Sequence, residues 1–589
     1  MYEKGSLKEI IINHSSSTSV IPRKLSSQRS ISKIVPSISS QSFKFIDFKY
    51  ENPNSFYSAP IEYWSTLLNH AIGYGSLWRF PYYFILCGGA AFFIPFLFFF
   101  LIVGIPLLTM ESALGQIFKT NQEEIFTKVK TRLFGLSLVS TISTFLINVY
   151  ITVITSYSMF FFFNSFQRIL PWKYNENISY DNDDSHRFFL ETIVSIYKTS
   201  DNQTTFTLGK VNHHLLICLA LAWILTLLLN FSNVKINSRL FYITIILPIV
   251  VLFILLITTF QIPDGFRKGF ASFLLPQWSA LFDYRIWLKS WNQAIFVLSL
   301  GFGGNILFSS KKNENEDVYK RSIFIAFTQL IFGIVCIFIT CIYCGFINNN
   351  MNIDILSTTM NSPLNEAAIP FIIYPLALGM SSHCHLWSLL FFFMMVIIAL
   401  QSQMIFYENL SVFISQTICA KYLSLKQGAV LLCIFGFVCG IPFITEEGFY
   451  LVKWMDTYAT MVPLYLIILI ESITVMKSIG TVTIREIIAN KTGMVIPGYV
   501  FISSGLISPL CMVGLMVLSF IYHLCNLPEN NVLLVLQWGL MVFPFILVFL
   551  FVVKGGSIDK ERSVIGNESE HMGSEGKGSG IYTEMQKIE

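Results

Sequence analysis

Long apolar stretches recur throughout this chain, and AAFFIPFLFFFLIVGIPLL at 90–108 is a typical one. A helix needs about 20 mostly apolar residues to cross the hydrocarbon core of a bilayer, and this stretch has that length. Charged residues make up only 13% of the 589 residues, whereas soluble domains average roughly 25%. The stretches therefore predict membrane-spanning helices instead of the core of a soluble domain.

Twelve such stretches are present, and they predict an all-α membrane protein with twelve transmembrane helices. They occupy residues 61–83, 89–115, 134–166, 213–230, 240–262, 290–309, 321–347, 384–416, 426–442, 449–477, 495–521 and 532–554. Together they form a predicted helical domain at 60–554. The Ser-rich segment 1–59 and the polar, Gly/Ser-rich segment 555–589 cannot bury enough apolar surface to fold, so we expect both to be disordered tails.

The distribution of basic residues predicts the orientation of the helices. Lys128, Lys130 and Arg132 lie between the second and third stretches, on the same side as the N-terminus, whereas the loop 348–382 on the other side has no Lys or Arg. The loop 263–289 is an exception to this pattern. Because basic loops stay in the cytosol, we expect a multi-pass protein of the plasma membrane with both termini cytosolic.

This orientation makes 167–212 a large extracellular loop. The loop carries two acceptor sequences for N-glycosylation, at Asn177 and Asn202. We therefore expect a glycan on one or both of these residues.

Charge and motifs argue against several other functions. The formal net charge of +4 is small for a chain of this length and does not indicate binding to nucleic acid. The sequence contains no phosphate-binding loop, no nucleophile elbow and no cluster of ligands with metal-site spacing. We therefore do not expect an enzyme.

Two of the apolar stretches contain Gly-rich interruptions, at 73–76 in the first and at 299–304 in the sixth. Each Gly weakens a helix by about 1 kcal/mol, and backbone groups freed at membrane depth need a partner in protein, water or ligand. Broken helices expose N–H groups that bind carboxylates and carbonyl groups that bind cations. Two breaks that lie five helices apart are typical of an inverted five-helix repeat; close helix packing through Gly is the alternative.

Five segments of the chain carry a clear family resemblance. They are AIGYGSLWRFPYYFILCGGAAFFIPFLFFFLIVGIPLLTMESALGQ (71–116), LSLGFGG (298–304), FIIYPLAL (371–378), ALQSQ (399–403) and VKWMDTYAT (452–460). In this order and spacing the chain resembles the neurotransmitter:sodium symporter family from about residue 60 to 555. The resemblance implies two inverted five-helix repeats with broken helices 1 and 6, followed by helices 11 and 12.

The resemblance also implies a substrate pocket between the two breaks. It places that pocket on Gly73, Gly75, Leu146, Tyr150, Phe296, Ser299, Phe302 and Ser402. In the family, backbone N–H groups near Gly75 and a tyrosine hydroxyl, assigned here to Tyr150 with a one-residue gap, bind the substrate carboxylate. Monoamine carriers of the family have Asp where this chain has Gly73, so the resemblance favours an amino acid or a similar zwitterion.

An outer gate is a further implication of the resemblance. In the family an arginine after the first break pairs with an acidic residue in the tenth helix, and the matching residues here are Arg79 and Asp456. A charge at membrane depth is costly unless it is paired. The presence of both residues therefore predicts an ion pair above the pocket; an Arg79 that only snorkels to the interface is the alternative.

The first sodium site of the family is expected to be degraded in this chain. Its matching positions are Ala71, Ser76, Val297 and Ile325. Sodium is a hard cation that needs several oxygen ligands, and Val297 and Ile325 place hydrocarbon where the family has oxygen. The chloride site shares these two positions and has Phe96 in place of a tyrosine, although Gln293 remains. We therefore expect no role for chloride.

The second sodium site of the family is better preserved. It uses backbone carbonyl groups, which match Asn69, Ile72 and Ile398, and two side chains, which match Gln401 and Ser402. An amide oxygen at Gln401 brings no charge but still offers an oxygen ligand. We therefore expect this site to bind one sodium ion.

The predicted function is secondary active transport of a small zwitterionic solute by alternating access, coupled to at most one sodium ion. The expected partners are this solute and the lipid bilayer, and no nucleic acid. The degraded first ion site leaves an alternative, a non-transporting or sodium-independent relative that acts as a regulator or partner of another protein.

Overall fold

The computed structural model describes residue 68 and the segments 72–173, 188–189, 192, 209–231, 234–260, 263–311, 316–351, 369–416, 424–446, 448–527 and 531–575. Over these segments the backbone is mainly helical, with turns and loops between the helices, one isolated β-bridge between Val211 and Thr445 and no strand. The expected all-α class is therefore confirmed. The predicted tail at 1–59, Asn69, Ala71 and the glycosylation sites Asn177 and Asn202 lie outside the described residues.

The helices are labelled here in chain order. They are α1 Gly75–Leu86, α2 Gly89–Phe118, α3 Gln122–Val129, α4 Phe134–Asn164, α5 His213–Phe231, α6 Val234–Phe260, α7 Pro263–Leu274, α8 Tyr284–Val297, α9 Gly304–Ser310, α10 Val318–Met351, α11 Ile369–Gly379, α12 Cys384–Gln416, α13 Leu425–Gly440, α14 Gly448–Tyr458, α15 Val462–Thr474, α16 Thr481–Thr492, α17 Gly498–Cys525 and α18 Asn531–Glu575.

Nine helical segments of the described chain are long and apolar enough to cross a bilayer. The three other predicted spans are the first, the fifth and the sixth. The described side chains of α6 form a shorter apolar segment, Thr244–Thr259. The first and sixth spans are the interrupted ones, and their pieces α1, α8 and α9 have 12, 14 and 7 residues. A break divides a span into pieces that are individually too short, so the count of twelve stays a prediction.

The last helix differs from the expectation at its C-terminal end. We predict a disordered tail from residue 555, whereas α18 continues to Glu575. Extending an existing helix by one residue is much easier than starting a new one, because the costly nucleus has already formed. The apolar span thus nucleates a helix that runs on into the polar segment.

The two interrupted spans pack against the long helices that surround them. Helix α10 packs on both α1 and α2, α8 packs on α1, and α9 packs on α2 and α12. Helix α4 contacts α12 and α15. The two breaks therefore lie among α2, α4, α10, α12 and α15.

The contact between α2 and α9 is a backbone-to-backbone approach that depends on Gly115. A Cβ atom at this position would lie 2.1 Å from the carbonyl oxygen of Ile306 and 3.0 Å from the Cβ atom of Ser309. No side chain fits at such distances unless the backbone moves. Gly115 thus allows α9, the C-terminal half of the sixth span, to lie directly on α2.

We expect Gly115→Ala to destabilise the protein, because the added methyl group pushes α9 away from α2. Overpacking of this kind costs about 1–3 kcal/mol, which should lower the thermal unfolding midpoint of the purified protein by several degrees. Gly514→Ala is the matched control, since a Cβ atom at Gly514 meets nothing within 4 Å. Equal midpoints for the two variants would contradict the close approach at Gly115.

Candidate functional site

The second break lies between the end of α8 at Val297 and the start of α9 at Gly304. Three residues in it have positive φ angles, namely Ser299 at 51°, Gly301 at 79° and Gly303 at 75°. Gly adopts this conformation at little cost, whereas a non-Gly residue there is uncommon. The Gly-rich sequence therefore explains the unwinding, and Ser299 is the strained residue of the segment.

Side chains from α2 and α9 bind the freed backbone groups at the start of the break. The carboxylate of Glu111 on α2 accepts a hydrogen bond of 2.8 Å from the N–H group of Gly301. Its other oxygen accepts one of 2.7 Å from the amide of Asn305. The Asn305 amide also donates to the carbonyl groups of Leu298 and Ser299, at 3.1 and 3.0 Å. Glu111 thus stabilises the break both directly and through Asn305.

Side chains from α4 and α12 bind carbonyl groups on the other side of the same break. The Ser140 hydroxyl donates to the carbonyl group of Gly301 at 2.8 Å. The Asn409 amide donates to the carbonyl group of Phe302 at 2.7 Å. Because the bilayer offers no partner for these carbonyl groups, these side chains replace the hydrogen bonds that an intact helix would make.

The first break is joined to α12 through Ser402. The N–H group of Tyr74 donates to the Ser402 hydroxyl oxygen at 3.1 Å, and the Ser402 hydroxyl donates to the carbonyl group of Ile398 at 3.1 Å. Helix α1 then begins at Gly75. The N–H groups of Ser76 and Leu77 donate to the carbonyl groups of Gly73 and Tyr74, at 3.2 and 3.0 Å. The first turn of α1 therefore lies beside α12.

A cavity of about 40 Å³ lies between the two breaks, with room for a few water molecules. Five of the residues that the resemblance assigns to the substrate pocket line it, namely Gly73, Gly75, Phe296, Ser299 and Ser402. Its other lining residues are Ile72, Tyr74, Ser76, Trp78, Ile151, Val297, Gln329, Ile405 and Phe406. These residues include no Asp, Glu, Lys, Arg or His, so the described wall of the cavity is uncharged at neutral pH.

The other three predicted pocket residues do not line this cavity. Tyr150 is fully buried elsewhere, and its neighbour Ile151 faces the cavity instead. Successive side chains on a helix point about 100° apart, so the one-residue gap assumed for Tyr150 decides which side chain faces inward. Leu146, one turn earlier on α4, is only partly buried. Phe302 lies behind the wall, with its ring edge-on to Phe406 at 5.5 Å between centroids.

Gln329 on α10 lines the cavity, although the family resemblance does not assign it to the substrate pocket. It is 2% exposed, and its amide oxygen has no hydrogen-bond partner among the described residues. It follows Ile325 by four residues, so both lie on one face of α10. A polar side chain inside an apolar span is a recognised sign of function, and this signal together with the spacing could have identified it.

At the positions that the resemblance assigns to the first sodium site and the chloride site, the structure places mainly hydrocarbon side chains. Val297 lines the cavity beside Ser76, and Ile325 and Phe96 are buried at 2% and 0% exposure. The first site therefore presents hydrocarbon. Gln293 is fully buried, and neither atom of its amide has a partner in the described part of the chain. No group of three or more His, Cys, Asp or Glu residues that could hold a metal ion occurs within the described segments.

The described residues that are expected to form the second sodium site carry neutral oxygen atoms. The hydroxyl of Ser402 bonds to the carbonyl group of Ile398, and Ile72 lines the same cavity as Ser402. Gln401 is 6% exposed. Carbonyl, hydroxyl and amide oxygens are the donors that a hard cation prefers, so these residues fit a sodium ion by their chemistry.

Arg79 and Asp456 form an ion pair, and both side chains are buried at 0% and 1% exposure. The guanidinium carbon of Arg79 also lies 4.0 Å from the centroid of the Phe296 ring, a distance suited to a cation–π contact. Phe296 is a wall residue of the cavity. Arg79 therefore contacts both Asp456 and a wall residue, and the ion pair lies at the edge of the cavity.

We expect neutralisation of either partner, by Arg79→Gln or Asp456→Asn, to impair uptake strongly. Each variant leaves a buried charge without its partner, which costs about 3–5 kcal/mol. The exchanged double variant, Arg79→Asp with Asp456→Arg, should recover part of the uptake. Lys320→Gln, which removes the exposed pair with Asp317, is the control and should behave like the wild type. Equal losses in the single and exchanged variants would show that the pair does not act as a unit.

Comparison with known proteins identifies the family of this chain. The model of the sodium:neurotransmitter symporter family matches residues 55–556. The chain is 28% identical to the sodium- and chloride-dependent glycine transporter 1 of Xenopus laevis over 459 residues, 71% of each chain. It is also 28% identical to the human sodium- and chloride-dependent GABA transporter 2 over 421 residues, 68% of each chain. The chain belongs to the sodium:neurotransmitter symporter family and is a multi-pass membrane protein.

Proposed function

We propose that this protein is a secondary active transporter of a small zwitterionic solute, an amino acid or a derivative of one. It works by alternating access and couples transport to at most one sodium ion, without chloride. The observation that supports this best is the uncharged cavity between two broken helices. We further propose a plasma-membrane location with both termini cytosolic, and glycosylation at Asn177 or Asn202.

The backbone at the breaks supplies the charge complementarity that a zwitterion needs. The N-terminus of α1 at Gly75 presents the positive end of its helix dipole to a carboxylate. The C-terminus of α8 at Val297 presents the negative end of its dipole to an ammonium group. Ile151 provides no hydroxyl at the cavity, so we assign additional carboxylate recognition to the amide of Gln329 and the hydroxyl of Ser76.

The oxygen atoms available as ligands at the two predicted sites support one sodium site and not two. The carbonyl groups of Asn69, Ile72 and Ile398 and the side chains of Gln401 and Ser402 would hold the ion at the second site. Neutral oxygens would bind the positive charge that the ion supplies, and no carboxylate would take part. At the first site Val297 and Ile325 do not fit a cation, and together with Phe96 they do not fit chloride either. The relatives are named chloride-dependent, so we propose that this chain departs from them.

The number of sodium ions limits how far a solute can be concentrated. A tenfold sodium gradient supplies about 1.4 kcal/mol per ion, and about 60 mV of membrane potential adds roughly the same amount. One sodium ion therefore supports a solute gradient of about a hundredfold, and two would support about ten-thousandfold. A one-sodium carrier also reverses more easily.

Initial uptake of a panel of labelled amino acids into cells or liposomes tests the coupling. We expect uptake of at least one solute to depend on sodium with a Hill coefficient near one, and to persist when gluconate replaces chloride. A Hill coefficient clearly above one, or a strict chloride requirement, would show that the first site or the chloride site is functional. Surface expression without uptake of any solute would favour the non-transporting alternative.

Gly73→Asp should convert the cavity into one that binds amines. A Cβ atom at Gly73 meets nothing within 4 Å, so the new carboxylate has room and supplies the counter-ion that a monoamine needs. Competition by dopamine-like or serotonin-like amines for binding of the native solute measures the change. Gly73→Ala is the control and should stay insensitive to amines. Strong amine binding by the wild type would refute the role assigned to Gly73.

Gly75 gives a contrast at the neighbouring position. A Cβ atom there would lie 2.7 Å from the Phe296 ring. Gly75→Ala should therefore impair uptake, while Gly73→Ala should be tolerated.

A further inference from the structure

The loop 263–289 departs from the pattern of basic residues that predicts the orientation of the chain. It has two acidic residues and four basic ones, Arg267, Lys268, Arg285 and Lys289. The structure forms most of it into helix α7, Pro263–Leu274, and a 3₁₀ helix, Trp278–Phe282, which leads into α8. None of these residues lines the cavity between the breaks, so the transport site does not account for them.

Helix α7 packs along the C-terminal end of α10. A Cβ atom at Gly345 would lie 2.6 Å from the carbonyl oxygen of Gly265, so the two backbones touch there. At the other end of α7, the ring of Phe273 lies edge-on to that of Phe338, with 5.6 Å between centroids. The contacts on α10 therefore move back by about 10 Å along that helix as α7 proceeds. Helix α7 thus runs from the end of α10 towards the bilayer interior.

The basic residues of α7 lie at its N-terminal end, beside the polar end of α10. The ammonium group of Lys268 donates to the side-chain carbonyl of Asn349 at 2.8 Å. Asn349 belongs to the Asn-Asn-Asn sequence at 348–350, which follows the apolar stretch of α10. Arg267 is exposed and has no ion pair with a described residue. Because polar residues begin where a span leaves the hydrocarbon core, this end of α7 lies at the bilayer surface.

Apolar side chains are exposed in the residues that follow. Leu274 is 51% exposed, Leu275 68%, Trp278 60% and Phe282 93%. These four side chains, which we call the 274–282 surface, fall within nine consecutive residues. A group of exposed apolar side chains of this kind marks a site of interaction with protein or membrane.

The 274–282 surface is continuous with the lipid-facing side of α2. The N–H group of Gln277 donates to the carbonyl group of Gly88 at 3.0 Å, directly before α2 begins. Helix α2 is long and apolar enough to cross the bilayer, and Phe98 on it is 42% exposed. The Phe98 ring contacts that of Trp287, whose indole N–H donates to the carbonyl group of Leu281 at 3.0 Å. Lipid that covers Phe98 therefore lies next to this surface.

We propose that the segment 263–282 is a lipid anchor, in which the 274–282 surface inserts into the bilayer interface and Arg267 and Lys268 bind phospholipid phosphate groups. Amphipathic helices lie at this depth with basic residues among the head groups, and Trp is enriched there. Long basic side chains reach the head groups while their stems stay on apolar surface. The continuity with α2 favours lipid over a protein partner. This inference does not depend on the proposed transport function.

The anchor adjoins the helix that leads to the second break. The 3₁₀ helix ends at Phe282, and α8 begins two residues later with the side chain of Asp283 accepting a hydrogen bond of 2.9 Å from the N–H group of Arg285. The bond from Trp287 to Leu281 joins the first turn of α8 to the same segment. Insertion of the anchor therefore holds the N-terminus of α8 at the bilayer surface.

Quenching of tryptophan fluorescence tests the insertion. The purified full-length protein is reconstituted into phosphatidylcholine nanodiscs, with or without bromine on the acyl chains near the head group. The difference between the wild type and Trp278→Phe gives the emission of Trp278. We expect brominated lipid to remove more than half of this difference and aqueous iodide to leave most of it. Quenching by iodide alone would overturn the anchor, because Trp278 would face water; resistance to both would overturn it because protein would cover the surface.

Two further variants check the probe. Trp291 on α8 is 0% exposed, so the emission lost in Trp291→Phe should be insensitive to both quenchers. Phe282→Trp adds a second probe and leaves Trp278 in place. The emission that it gains over the wild type should also be quenched by brominated lipid, and its absence would contradict insertion of this segment.

The phosphate contacts have a separate readout in the same nanodiscs. Spin-labelled phosphatidic acid is added as a minor component, and its motionally restricted fraction is measured by electron paramagnetic resonance. The double variant Arg267→Gln with Lys268→Gln should lower this fraction, because two phosphate-binding groups are lost. Lys320→Gln, which removes an exposed cation at the other end of α10, is the control and should lower it less. Equal fractions in the wild type and the double variant would overturn the phosphate contacts. Failure to transport any solute would leave all these results intact.

Discussion

The unwound backbone of the second break needs hydrogen-bond partners inside the protein, because the bilayer offers none. Four helices provide them, through Glu111 on α2, Ser140 on α4, Asn305 on α9 and Asn409 on α12. These bonds allow the chain to present backbone dipoles at membrane depth. They also tie the shape of the cavity to the positions of the surrounding helices, so a change in one of these helices is transmitted to the site.

The cavity itself is uncharged, while charged groups lie just outside it. Arg79 and Asp456 reach the cavity wall through the ring of Phe296. Glu111 reaches the break through Gly301. For the proposed zwitterionic solute, this arrangement leaves recognition to dipoles and neutral hydrogen bonds, which suit a molecule with no net charge.

Much of the site could be predicted from the sequence because its signals are local. Gly-rich interruptions in apolar stretches predict breaks at 73–76 and 299–304, and the described backbone is non-helical at 72–74 and at 298–303. The motif around Arg79 and the one around Asp456 are each specific enough to suggest the pair that the structure contains. The length of the apolar stretches predicted the lengths and ends of the helices less well. A broken helix has short pieces, and α18 continues past its apolar segment to Glu575.

The sequence by itself determined that this chain spans a membrane and where its helices are interrupted, and its resemblance to a known family implied that Arg79 and Asp456 pair. Composition, Gly-rich interruptions and family motifs carry that information without any knowledge of long-range contacts. Only the tertiary structure decided that Ile151 and not Tyr150 faces the cavity and that Gln329 joins its wall. The reason is geometric. A shift of one residue along a helix changes the direction of the side chain by about 100°. The proximity of residues that are far apart in the chain depends on how the helices pack.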